Sequence, residues 1–132
     1  MYYLGFLEKF DPCYENYGEF LINGNRLYCF ISYAPNYFEE SQYYEVEINY
    51  QIFNNYMVRR YNDSDLNFIP FVRKDDSLKY SLTGIFHNDT FCVNNISFKD
   101  EELLKLFPHL EGELITLEVD RLDIGLWASK KT

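Results

Sequence analysis

From Tyr43 to Phe53 the chain alternates between apolar and polar side chains. Tyr44, Val46, Ile48, Tyr50 and Ile52 form one set, and Glu45, Glu47, Asn49 and Gln51 form the other. Successive side chains of a strand point to opposite faces, whereas an amphipathic helix needs apolar residues three and four apart. The segment therefore predicts a half-buried strand with Glu45 and Glu47 on its solvent side. A strand must be hydrogen-bonded to neighbours, so the rest of the chain has to supply them.

It supplies them in the same style. Glu19–Ile22 and Arg26–Tyr33 flank Asn23-Gly24-Asn25, and Asn-Gly provides the positive-φ positions of a tight hairpin. Residues 56–61, 66–73, 79–86 and 90–98 are further β-rich runs. They are separated by the turn clusters Asn62-Asp63-Ser64-Asp65, Lys74-Asp75-Asp76-Ser77 and His87-Asn88-Asp89. One helix stands out: Asp100 caps Glu101–Phe107, the acidic first turn suits the helix dipole, and Pro108 ends it. Leu103, Leu106 and Phe107 share its apolar face. After Gly112 a last long strand runs from Glu113 to Leu126. Its apolar parity changes near Asp120-Arg121, which predicts a bulge or bend there. The expected fold is mainly β (α+β): a strongly curved antiparallel sheet or small barrel with one short helix, about 100–107, packed on it. No linker or repeat divides residues 1–132, which read as a single globular domain.

Charge narrows the function. Twenty-one acidic residues against twelve basic ones leave a net charge of −9. Such a chain is repelled by nucleic-acid phosphates and anionic lipids, so neither is an expected partner. Cys13, Cys29 and Cys92 are odd in number and far apart, which fits free thiols in a reducing compartment. The start Met-Tyr-Tyr-Leu-Gly-Phe-Leu-Glu-Lys lacks the features of a signal peptide. The longest uncharged stretch, 27–38, is too short and too polar to span a bilayer. A cytoplasmic protein, monomeric or weakly dimeric, is expected. The Asn-x-Ser/Thr triplets at Asn62, Asn88 and Asn95 then carry no glycosylation signal.

Catalytic constellations are weak. His87 beside Asp89 is ordinary turn chemistry, and Cys92 reads as a buried thiol between Phe91 and Val93 rather than a nucleophile. The two histidines and three cysteines lack zinc-ligand spacing. The carboxylate pairs Glu45/Glu47, Glu111/Glu113 and Glu118/Asp120 each lie on one strand face, yet solvated faces look the same. Phosphate-loop, dinucleotide, nucleophile-elbow and metalloprotease motifs do not occur. No enzyme activity, cofactor or metal is expected.

The uneven feature is the first half. Twelve of the thirteen tyrosines lie by Tyr61, and up to Val58 eight acidic residues face only Lys9 and Arg26. Tyrosine offers apolar area with a polar tip, and acidic side chains around it would steer a basic partner. Tyr37, Glu39, Glu40, Tyr43, Glu45 and Glu47 are the expected partner-binding residues. In general character the chain resembles bacterial immunity proteins that block nuclease toxins. That resemblance implies an acidic protein-binding module that neutralises a basic, toxin-like protein. The alternatives are a small barrel of the oligonucleotide/oligosaccharide-binding type, binding a neutral ligand or serving in an assembly, and a phage-type inhibitor that mimics nucleic acid.

Overall fold

A computed structural model describes residues 2–14, 16–62 and 67–130. The chain forms two compact units, one of residues 1–51 with 121–132, the other of 52–120.

The first unit is a closed five-stranded barrel. Its strands are β1 (Tyr2–Phe10), β2 (Tyr17–Ile22), β3 (Asn25–Tyr33), β4 (Gln42–Gln51) and, from the far end of the chain, β11 (Arg121–Lys130). They pair in the order β1-β2-β3-β11-β4, and β4 closes on β1. All pairs are antiparallel except β3 with β11. Counted within the barrel, the order is first, second, third, fifth, fourth. That is the Greek-key arrangement of the oligonucleotide/oligosaccharide-binding barrel, with the second unit inserted between its last two strands.

The alternating segment is β4 as far as Gln51; Ile52 and Phe53 lie beyond the strand, and Tyr50, Glu45 and Glu47 are half-buried. Tyr44, Val46 and Ile48 are buried, and Asn49 is exposed. Their barrel partners include Leu7, Phe20, Ile22, Leu27, Ile124 and Leu126, all buried. The β2–β3 turn is the Asn-Gly hairpin: Asn23 and Gly24 have φ of 48° and 80°, the two positive values a type I′ turn requires.

The second unit is a sheet whose strands are β5 (Met57–Arg60), β6 (Phe71–Arg73), β7 (Tyr80–His87), β8 (Thr90–Val93), β9 (Ile96–Lys99) and β10 (Leu114–Val119). They run in the order β5-β10-β7-β8-β9, with β6 also paired to β7. The apolar run 90–98 is thus two strands rather than one. Asn94 and Asn95, with φ of 41° and 69°, turn the chain between β8 and β9. Only residues 71–73 of the run 66–73 pair as a strand; Leu66 and positions 63–65 of the expected turn lie outside the described residues.

The one α-helix among the described residues, α1 (Glu101–Leu106), is in this unit. Asp100 caps it by accepting a hydrogen bond from the Leu103 amide, 2.9 Å away. Leu103 is buried, but Leu106 is exposed, because the helix is too short to lay two turns of apolar side chains on the sheet. A 3-10 turn, Pro108–Leu110, follows and buries Leu110 instead. The parity change near Asp120 is the point where the chain leaves β10 and re-enters the barrel as β11.

Candidate functional site

Among the described residues, the barrel's strands, as distinct from its loops, carry their most exposed large apolar side chains on β1, β3 and β11. Tyr2 and Leu4 stand on β1, Tyr33 ends β3, and Trp127 lies on β11, each about half exposed. The β1–β4 register sets Tyr2 against Glu47, Leu4 against Glu45 and Phe6 against Tyr43. On its other edge β4 sets Glu47 against Gly125 and Glu45 against Ala128. The two carboxylates therefore lie in the row between the apolar residues, on the face opposite buried Tyr44, Val46 and Ile48.

Two irregularities aim the rings. Pairing of β11 with β4 slips between Leu126 and Ala128, leaving Trp127 as the extra residue of a bulge. Pairing of β11 with β3 slips between Ile124 and Gly125, so that Tyr33 comes level with Gly125. Bulges redirect side chains and often sit beside functional sites. Here Trp127 packs on Tyr33 with ring centroids 4.5 Å apart and a tilt of 31°. Tyr2 stands nearly perpendicular to Trp127, at 82° and 6.3 Å. The indole lies over Gly125: a Cβ there would make ordinary van der Waals contact with Trp127 Nε1, at 3.5 Å.

The expected partner-binding residues divide into two groups. Tyr43, Glu45 and Glu47 share this outward face of β4, each partly covered by neighbouring strands. Tyr43 packs on Phe6, centroids 4.8 Å apart. Tyr37, Glu39 and Glu40 belong to the preceding loop, where local bonds engage them. Tyr37 Oη donates to Glu39 Oε2 at 2.9 Å, and this bond raises the Tyr37 phenol above its ordinary value. Glu40 Oε2 accepts from the Phe10 amide at 2.8 Å, and the Glu39 amide donates to Tyr44 Oη. Sequence reasoning missed Tyr2, Leu4, Tyr33 and Trp127. Tyr2 and Tyr33 belong to the tyrosine-rich first half but were not singled out within it, and Trp127, the one tryptophan, lies in a strand whose parity already looked irregular.

A second aromatic group covers β2 and β3. Tyr17 stacks on Tyr28 at 5.9 Å and touches Tyr14 and Phe30, and the Arg121 guanidinium lies 4.2 Å above Phe30. These rings are spent largely on one another. Tyr28 is buried and donates its hydroxyl to Asp11, and Arg121 is held 2.7 Å from Asp123.

In the second unit a groove of about 560 Å³ is lined by Tyr56, Met57, Arg59, Lys74, Lys79 and Glu118. Burial acts to raise the Glu118 carboxyl, but hydrogen bonds from Ser81, Lys74 and Arg59 prevail and hold it below its ordinary value. Lys74 lies 2.9 Å and Arg59 3.3 Å away, so the charges of this groove largely satisfy each other. Asp120, the expected companion of Glu118, instead accepts from the Phe53 amide. Among the described residues no cluster of three or more His, Cys, Asp or Glu side chains has the geometry to hold a metal ion. His87 Nδ1 lies 3.7 Å from Glu111 Oε1. Cys92 is exposed, not buried: Phe91 and Val93 take the inner face of β8, and the alternation turns the thiol outward beside Ser97.

The architecture defines a closed β-barrel carrying an inserted second sheet and an aromatic-acidic outer face. No described helix is long and apolar enough to cross a membrane. The chain belongs to the family described as uncharacterised conserved protein UCP019853, whose model matches residues 1–127. No curated protein and no solved structure matches it.

Proposed function

We propose that this protein is a binding module whose barrel face docks a basic protein partner and neutralises it, as an immunity protein blocks a toxin. The observation that carries this reading is the bulge-positioned face itself, with Tyr2, Leu4, Tyr33 and Trp127 grouped around Glu45 and Glu47. Exposed aromatic anchors with few rotatable bonds contribute strongly at interfaces, and carboxylates set among them favour a cationic surface over a neutral one. The net charge of −9 adds long-range steering toward such a partner. A nuclease toxin fits because a cleft that binds nucleic acid is positive. Three free thiols suit a cytoplasmic partner.

The test is capture from a lysate of the source organism with wild type and with the double variant Glu45→Lys/Glu47→Lys. Both carboxylates sit on the outward face, so the variant is expected to melt within about 1 kcal/mol of wild type. A basic protein retained by wild type, lost by the variant and released by salt supports the reading. Equal retention by both, or an acidic partner, overturns it.

A neutral ligand such as a sugar is the second reading, favoured by the Tyr14–Tyr17–Phe30 rings on the β2–β3 face that barrels of this type use for binding. Oligosaccharide-induced chemical-shift changes confined to those three rings would favour it over a protein partner.

A further inference from the structure

The corner made by Tyr2 and Trp127 has the chemistry of a cation receptor. The two rings stand at 82° to each other. Glu47, directly opposite both Tyr2 on β1 and Gly125 on β11, lies at the foot of that corner. Tyr33 backs the indole from the other strand, with its centroid 4.5 Å away, and so restrains Trp127. Among the side chains that the structure describes, which on β11 end at Ala128, no lysine, arginine or histidine forms an ion pair with Glu47. The acidic residues of the adjoining strands behave differently: Glu8 pairs with Arg26 at 2.9 Å and Glu19 with Lys9 at 3.5 Å.

We propose that this corner takes the guanidinium group of an arginine on the partner protein. Arginine is chosen over lysine on physical grounds. A planar, weakly hydrated guanidinium stacks on an indole face while its edge donates paired hydrogen bonds to a carboxylate, which an ammonium cannot do together. The perpendicular arrangement of Tyr2 supplies a second aromatic wall without closing the face of Trp127, which stays about half exposed. The inference rests on the reading of this face as a docking surface and deepens it by naming the anchor side chain.

Trp127 is the only tryptophan, so its fluorescence reports on this corner alone. The full chain is titrated at constant ionic strength with a short tetra-arginine peptide, its citrulline counterpart and a tetra-lysine peptide. The arginine peptide is expected to change Trp127 emission saturably, the citrulline peptide to leave it unchanged, and lysine to bind more weakly. Glu47→Gln and, separately, Tyr2→Ala should each weaken arginine binding at least about fivefold, the order of a lost charged hydrogen bond or cation–π contact. Glu111→Gln, a charge control in the second unit, should not weaken it. Two variants from different strands guard against a folding defect in either one.

Unaltered titration in both variants, no response to arginine, or equal binding of lysine and arginine overturns the assignment. If that happens while Glu45→Lys/Glu47→Lys still loses the captured partner, the docking face stands and only its arginine anchor is wrong. If the double variant keeps the partner, the face itself is wrong.

Discussion

Tyr56 directs its hydroxyl at the carboxylate of Asp100, 3.0 Å from each oxygen, across 44 residues of sequence. The same carboxylate caps α1 through the Leu103 amide. One buried side chain thus starts the helix and ties the segment before β5 to it. Asp100→Ala removes both bonds and should cost about 2 kcal/mol or more, against about 1 kcal/mol for Tyr56→Phe, measured by urea denaturation. Equal losses would mean that the cap contributes nothing.

Burial, and then the Asp100 charge, raise the Tyr56 phenol above its ordinary value of 10.0. The folded protein thus holds that proton more tightly than the unfolded chain. The associated stability is complete below the ordinary tyrosine range and is lost as pH rises beyond it. Tyr56→Phe should flatten the alkaline decline in melting temperature. A parallel decline in both proteins would exclude Tyr56 as its source.

Glu118 works in the opposite sense. Its carboxyl is held below the ordinary 4.5, so its stabilising contribution is present above that value and fades as pH falls through the shifted one. Glu118→Gln should melt lower than wild type at neutral pH, with the two curves converging in acid. A gap that persists in acid would mean that packing, not charge, makes the difference.

Two glycines should fail for different reasons. Gly24 has φ of +80° and nothing near its absent Cβ, so Gly24→Ala costs only the left-handed conformation, about 1 kcal/mol. At Gly84 a Cβ would fall 2.0 Å from the Cys92 carbonyl oxygen. Gly84→Ala forces β7 and β8 apart and should cost about 3 kcal/mol or more. Similar melting temperatures for the two variants would contradict this.

Cys13 and Cys92 are exposed and Cys29 is buried. Burial, with the Asp123 charge behind it, pushes the Cys29 thiol far above its ordinary value. A thiol reagent should label two groups in the folded protein and the third only after denaturant is added. Prompt labelling of all three would place Cys29 outside the barrel core.

What residues 1–132 determined by themselves was local. Alternation made β4 a strand with Glu45 and Glu47 outward, Asn23-Gly24 made a hairpin, and Asp100 before two glutamates started a helix. Each depends on backbone preference and nearest-neighbour periodicity, which the order of residues displays directly. The Asn94-Asn95 turn was harder to read, because two asparagines tolerate positive φ without demanding it. Tertiary structure alone decided the face that joins Tyr2, Tyr33, Glu47 and Trp127. Those residues meet because β4 closes the barrel between β1 and β11, and because two slips in register turn Tyr33 and Trp127 to the same side. Pairing between strands far apart in the chain is selected by burial of the whole barrel core, a global quantity that no local pattern encodes.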